Sequence, residues 1–275
     1  LTAARRRRAH RALVSGRRLE FAEGERAPER WWSDDQFWDD MFDFIFPPEH
    51  LALGEELAAK AAALLGVERG AAILDLGCGP GRVAVPLARR GFRVTGVDAH
   101  AGYLERARAW AEREGVELSL CRADMSKLTF HSEFDAALCV FNSFGYFDDP
   151  GSDQAVLERA RQALRPGGRF LLEVAHRDGI ARTVHVREAR AADGRRFREE
   201  PRFDLVSGLL EARWTLDSPR GTRTFVSRMR PYTATQLGEM LRRAGFRDVR
   251  FQRDLDGGEP SLDSFMLVAL ATAPP

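Results

Sequence analysis

The 275-residue chain is 44% hydrophobic and carries 42 lysines and arginines against 41 aspartates and glutamates, a formal charge of +1, so it can bury the core of one large or two small domains and is not expected to be disordered. That balance creates no global field for nucleic acid or a membrane surface, which leaves only local electrostatic arguments. Cys78, Cys121 and Cys139 are too few for a disulfide scaffold, and no run approaches the roughly 18 apolar residues of a membrane span, so a soluble, cytoplasmic protein is expected.

Residues 1–30 contain nine arginines and four glutamates and read as a basic, solvated extension, with 31–275 as the folded domain. Only Lys60 and Lys127 are lysines, an arginine bias that fits coding composition better than a binding surface. Trp31 to Phe46 reverses the character of the start. Asp34, Asp35, Asp39, Asp40 and Asp43 alternate there with Trp31, Trp32, Phe37, Trp38, Phe42, Phe44 and Phe46, and no basic residue intervenes. An amphipathic, aromatic-faced segment is expected. After Pro47 and Pro48, Leu51, Leu57, Ala61, Leu64 and Leu65 keep helical spacing until Gly66 stops the run.

The period then changes. Ala71 to Leu76 and Arg93 to Val97 read as strands around a helix at Val83 to Arg90. A helix at Ala101 to Glu114, a strand near Leu118 to Arg122 and a buried strand at Phe134 to Val140 follow. A helix at Asp153 to Leu164 stops at Arg165-Pro166-Gly167-Gly168, ahead of a fifth strand at Phe170 to Ala175. This alternation predicts an α/β fold, doubly wound around a mostly parallel sheet of seven strands, the last two being near Val249 to Arg253 and Phe265 to Ala271 after a helix at Thr235 to Ala244. Between His176 and Tyr232 the helical period is lost. Alternating stretches at Phe203 to Val206, Leu209 to Leu216 and Thr222 to Met229 predict antiparallel hairpins, so 177–231 is expected to be a β insertion after the fifth strand.

The sharpest motif is Asp75-Leu76-Gly77-Cys78-Gly79-Pro80-Gly81, where a buried strand turns into a helix. Glycines let the backbone approach a ligand there, with Cys78 as a small filler. A dinucleotide fingerprint needs a third small residue where Arg82 stands, and the strand brings an acid, Asp75, to the loop, so a cofactor without a pyrophosphate is favoured. The second strand ends in Asp98, which can accept from both hydroxyls of a ribose or cap a helix. The third leads to Asp124-Met125, where the carboxylate can receive an adenine amino group and the methionine can cover the ring; an ordinary turn aspartate is the other reading.

These motifs resemble those of class I S-adenosylmethionine-dependent methyltransferases, in order, from about Ala71 to Phe147. The resemblance implies S-adenosylmethionine as cofactor, with its methionine part on Gly77, Gly79 and Gly81, its ribose on Asp98 and its adenine on Asp124-Met125. Phe141 to Phe147 after the fourth strand also fits, which adds Phe141 to the cofactor side. Within the family the chain is similar to the bacterial small-molecule branch, in which an aromatic N-terminal segment, here 31–46, and a β insertion cover the acceptor.

Methyl transfer from a sulfonium needs alignment and exclusion of water more than acid–base machinery. His176, just past the fifth strand, is the first candidate base, although a hydrogen-bonded turn histidine is an equally simple role; Tyr146 is the second. Trp38, Phe42, Phe144 and Tyr232 are candidates for the acceptor wall. The histidines and cysteines form no ligand spacing, so no metal is expected. The expected partner is a small-molecule acceptor, with O, N or C attacked, rather than nucleic acid or a membrane. RNA modification through the arginine-rich start and a cofactor-binding module without catalysis are the competing readings.

Overall fold

The computed structural model describes residues 30–275. All but the last residue of the expected basic extension lie outside the described residues. The chain enters through a 3₁₀ turn at Trp31–Ser33 and helix α1 (Asp35–Ile45), which starts where the Asp34 carboxylate accepts from the Gln36 and Phe37 amides at 3.0 and 3.3 Å. Helices α2 (Pro48–Ala52) and α3 (Gly54–Leu65) follow, the second closed by Gly66 in the left-handed conformation.

The nucleotide-fold half is built from β1 (Ala72–Leu76), α4 (Ala84–Arg89), β2 (Arg93–Asp98), α5 (Ala101–Glu114), β3 (Ser119–Arg122), β4 (Phe134–Cys139), α6 (Pro150–Ala163) and β5 (Leu164–Ala175). It is completed by α8 (Ala234–Arg243), β10 (Arg247–Gln252) and β11 (Met266–Thr272), after an excursion through α7 (Arg177–Thr183), β6 (Arg187–Arg190), β7 (Arg196–Phe203), β8 (Leu210–Ser218) and β9 (Gly221–Met229). The large sheet has seven strands in the order β10-β11-β5-β4-β1-β2-β3. The pairs from β3 through β5 are parallel, and β11 runs antiparallel to both its neighbours. Strand residues alternate between its faces. Leu74, Leu76 and Ala137 pack with α6 and α8 on one face, and Ile73, Leu138 and Val94 with α3 and α4 on the other. Among the described residues no helix is long and apolar enough to cross a membrane.

The excursion forms a four-stranded antiparallel sheet, β6-β7-β8-β9. Its details correct two expectations. It opens with a helix, α7, whose seven residues are too few to register a helical period in sequence. The strand expected at Phe203 to Val206 in fact ends at Phe203. Asp204 then accepts from the Val206 and Ser207 amides at 2.8 and 3.2 Å, which makes 204–207 the hairpin turn, with Leu205 and Val206 exposed at its tip. The true strand, Arg196-Phe197-Arg198-Glu199-Glu200, is masked by its charge, which cross-strand partners satisfy, as Glu188 does for Arg198 at 2.5 Å.

One buried carboxylate ties these parts together. Asp153 on α6 is 0% exposed and accepts from the Tyr232 hydroxyl at 2.6 Å, fixing the return from the insertion to the helix behind β4. Burial pushes its carboxyl up to about 7, against the opposing pull of that hydrogen bond. In the unfolded chain the same group ionises near the ordinary aspartate value of about 4. The folded state therefore holds the extra proton between these values, and Asp153 makes stability fall as pH rises through that window. Asp153→Asn should lose less stability than the wild type between about pH 5 and about pH 8 in urea denaturation. An equal loss in both proteins would show that the folded carboxyl is already ionised at the lower pH.

Candidate active site

From β1 the chain winds to β2 and β3 on one side of the sheet, while β4 and β5 lie on the other, so the C-terminal ends of β1 and β4 border a topological switch point. Open α/β sheets bind their ligands in that crevice. The turn 77–81 sits there. Gly77 has φ +73°, and a Cβ on it would stand 2.6 Å from the Ser143 Cβ; Gly79, at φ +54°, lies beneath the Phe46 ring, 3.2 Å from a Cβ position. Gly81 has another task, since its Cβ position is 2.8 Å from Val85 Cγ2 and 3.2 Å from Ala107 Cβ, a close approach of α4 and α5. Cys78 is buried over Gly96, and burial holds its thiol well above the ordinary range, so it fills the turn.

Three strand ends bring acids to this crevice. Asp75 is 1% exposed, and its Oδ2 has no hydrogen-bond partner. Burial, then the nearby Asp98 charge, push it up to about 7. Asp98 accepts from the Gly79 amide through Oδ2 at 2.8 Å and from the His100 amide through Oδ1 at 2.9 Å. Helix α5 is capped by His100 rather than by Asp98. Asp124 caps the short 3₁₀ turn Met125–Lys127, accepting from the Ser126 amide and hydroxyl at 3.0 and 2.7 Å, with the Arg30 guanidinium 3.6 Å away. Met125 Cε comes within 3.7 Å of the Gly77 Cβ position.

Aromatic side chains cover this side of the molecule. Trp31 packs on Tyr146 at 5.0 Å and on Trp38 at 5.6 Å, and the Trp38 indole donates to the Trp32 carbonyl at 2.7 Å. Phe37 meets Trp214 and Phe225 of the small sheet at 5.4 and 5.2 Å. The acidic face of α1 pairs with arginines: Asp40 with Arg223 at 2.7 Å, Asp35 with Arg122 at 3.3 Å, and Asp43 with Arg195. Such half-exposed pairs contribute about 0–1 kcal/mol each, whereas each aromatic pair adds about 0.5–1.5 kcal/mol beyond its buried area, so packing holds the helix and charge sets its register. Phe42 faces outward from this cluster, with the Arg106 guanidinium 4.0 Å from its ring, and lines a surface cleft of about 440 Å³ with Leu51, Trp110 and Pro80 of the 77–81 turn.

Residues 73–168 match the family described as a methyltransferase domain. The stretch from β1 into β5 therefore carries a methyltransferase domain. A protein of Geobacillus sp. (strain WCH70) named as a methyltransferase is 35% identical over 102 residues, 37% of this chain. The match spans only 41% of that relative's length. The CcbJ methyltransferase from Streptomyces caelestis superposes with a TM-score of 0.71 at 24% identity, covering 81% of this chain and 90% of that one. CalS10, an amino pentose methyltransferase from Micromonospora echinaspora whose structure holds S-adenosylmethionine, gives 0.61 at 22% identity, covering 86% and 97%.

The crevice fits S-adenosylmethionine on a feature of its own. S-Adenosylmethionine carries an ammonium and a sulfonium, and the crevice offers buried carboxylates, one with an unpartnered oxygen, Asp75 Oδ2. Among residues expected at the site, Tyr146 stands in the aromatic cover. Phe144 and Tyr232 do not: Phe144 is buried in the core against the Tyr232 ring at 5.6 Å, and the Tyr232 hydroxyl is taken by Asp153. Both are core residues because the turn after β4 folds back onto α6 and α8. His176 is buried at the start of α7, with Nδ1 3.2 Å from the Ser264 carbonyl and Nε2 3.9 Å from Asp178 Oδ2. A proton on Nδ1 satisfies that carbonyl, so the ring joins two loops as a turn histidine does.

Sequence reasoning missed a network behind Phe141. Phe141 and Asn142 have φ of +58° and +65°, a conformation that costs a non-glycine residue about 1–2 kcal/mol. Buried Glu173 holds it, accepting from the Phe141 amide through Oε2 at 3.1 Å and from the Asn142 amide through its backbone carbonyl at 3.3 Å. The Asn142 side chain in turn accepts from the Ala175 amide at 2.9 Å. Arg82 lies 3.8 Å over the Phe141 ring; burial lowers it to about 10 while the Glu173 charge opposes the shift. A glutamate inside the apolar run Phe170 to Ala175 was the available signal. Gly77→Ala places a methyl against Ser143 at a positive φ and should cost about 1–3 kcal/mol of stability, read by urea denaturation. A loss below about 0.5 kcal/mol would show that the turn relaxes freely.

Proposed function

We propose that this chain transfers the methyl group of S-adenosylmethionine to an O, N or C atom of a small, partly apolar acceptor held beneath α1 and beside the small sheet. The observation that carries the reading is that the aromatic face of α1 closes on the side of the sheet where Asp75, Asp98 and the 77–81 turn converge. CalS10, similar in fold, is named as an amino pentose methyltransferase, and an acceptor of that small class supports this reading. On the outer face of α1 the acids already engage Arg122, Arg195 and Arg223, so these cations are not presented to RNA phosphates.

In this reading the cofactor supplies an electrophilic methyl on a sulfonium. Asp75 holds the ammonium, Asp98 the ribose hydroxyls, and Asp124 with Met125 the adenine, while Phe141, fixed by Glu173 and Arg82, walls the donor. Trp31, Trp38 and Tyr146 exclude water and hold the acceptor in line, an effect worth several kcal/mol of barrier. Burial keeps the Tyr146 hydroxyl protonated far above neutral pH, so it orients a lone pair by donating a hydrogen bond and does not act as a base. His176 belongs to the support of the fifth strand end. The finer layout follows: 31–46 is a lid, and 177–231 is the opposing wall.

Labelled-methyl transfer from S-adenosylmethionine into metabolite pools and into bulk RNA tests the acceptor class, with label expected in the small-molecule fraction; label confined to RNA would overturn it. Asp98→Ala should weaken S-adenosylhomocysteine by about 1–3 kcal/mol in calorimetry as charge-assisted hydrogen bonds are lost. Unchanged affinity would remove Asp98 from the site. Trp38→Ala should lower acceptor kcat/KM by about tenfold while S-adenosylhomocysteine still binds. Unchanged acceptor kinetics would end the lid reading.

A further inference from the structure

The first turn of α5 is joined at once to the ribose acid and to the lid. His100 is 3% exposed, and its Nδ1 accepts from the Tyr103 amide at 3.0 Å, so the ring proton sits on Nε2. That Nε2 lies 3.2 Å from the Asp35 carbonyl oxygen of α1, with the Asp35 and Asp39 carboxylates at 3.9 and 3.8 Å. The His100 backbone amide is also the donor to Asp98 Oδ1. Three residues on, the buried Tyr103 hydroxyl donates to the Trp38 carbonyl at 2.9 Å, and its ring packs on Phe42, Phe46 and His100 at 5.7, 5.3 and 4.4 Å. Two side-chain donors from one helical turn thus hold carbonyls 35 and 38, three residues apart and therefore on one face of α1.

We propose that His100 and Tyr103 are positioning residues, a latch that seats α1 over the site and couples its seating to Asp98. The proposal rests on the reading of 31–46 as a lid. Neither side chain touches the reacting atoms. A ligand that donates hydrogen bonds to the free lone pairs of Asp98 fixes the carboxylate, hence the 98–103 segment, hence the two donors, so cofactor occupancy and lid closure share one hydrogen-bonded path. A residue that only packed the core would leave the lid indifferent to the ligand.

Hydrogen exchange of the 35–45 amides, with and without S-adenosylhomocysteine, reads the latch directly. Tyr103→Phe deletes one hydroxyl and keeps the ring. His100→Asn keeps an acceptor for the Tyr103 amide at the position of Nδ1 and withdraws the donor from Asp35; His100→Gln reaches the position of Nε2 again. In the wild type the ligand should slow exchange across 35–45. In Tyr103→Phe and His100→Asn exchange there should be about fivefold faster or more, the weight of one hydrogen bond, and the ligand should no longer slow it. His100→Gln should recover part of the protection, and amides of β1 and β4 should be unchanged in all three. Wild-type exchange of 35–45 in both variants overturns the latch, and so does acceleration spread evenly over the large sheet. The lid reading fails separately: if Trp38→Ala leaves acceptor turnover unchanged while these variants loosen α1, the latch stands and the lid has no role in the reaction.

Discussion

The hydrogen bonds accepted by the Asp98 carboxylate organise the site. One oxygen takes the Gly79 amide and the other the His100 amide, so a single side chain at the end of β2 fixes the turn that follows β1 and the entry to α5. Burial raises the cost of keeping that carboxylate ionised, and the two amides reduce it. Without them the Gly77–Gly81 turn would be tied to β2 only through the Gly77 and Cys78 amides on the Val97 carbonyl, at 2.8 and 3.0 Å, and the entry to the helix that carries His100 and Tyr103 would lose its link to the strand-end acid. The fold supplies the crevice by topology; this carboxylate gives the crevice a defined wall.

Above that wall the protein uses a second physical device, charge complementarity between two segments distant in sequence. The acids of α1 meet Arg195 in the turn before β7 and Arg223 on β9, while its aromatic face meets Phe197, Trp214 and Phe225. The arginine richness that looked like coding bias thus has a local structural use on one face of the insertion. The exposed charges contribute little free energy, but they select one orientation of a helix whose apolar face alone would accept several.

How much of this was legible follows from which signals are local. Strand and helix order through the nucleotide fold showed in the sequence because buried parallel strands are apolar runs and their helices end at glycines such as Gly66 and Gly115. The turn 77–81 and the acids Asp75, Asp98 and Asp124 were legible because strand-end motifs need only a few neighbouring residues. Charged β7 was not, since its cross-strand partners lie in other segments. Nor were Phe144 and Tyr232, whose aromatic character fits a ligand wall as well as a core; only the placement of Asp153 decides between them. Glu173, Arg82 and His100 act through contacts 30 to 90 residues distant or across elements, as Glu173 does for Phe141, and such contacts leave no periodic trace.

A structure of the protein with S-adenosylhomocysteine bound is the most direct measurement of the central claim, that the strand-end acids and the 77–81 turn hold the cofactor beneath α1. The account predicts the homocysteine amino group on Asp75, both ribose hydroxyls on Asp98, the adenine edge at Asp124, and α1 seated over the ligand through the carbonyls of Asp35 and Trp38. A ligand bound elsewhere, or one that leaves Asp75 and Asp98 without contact, would contradict it.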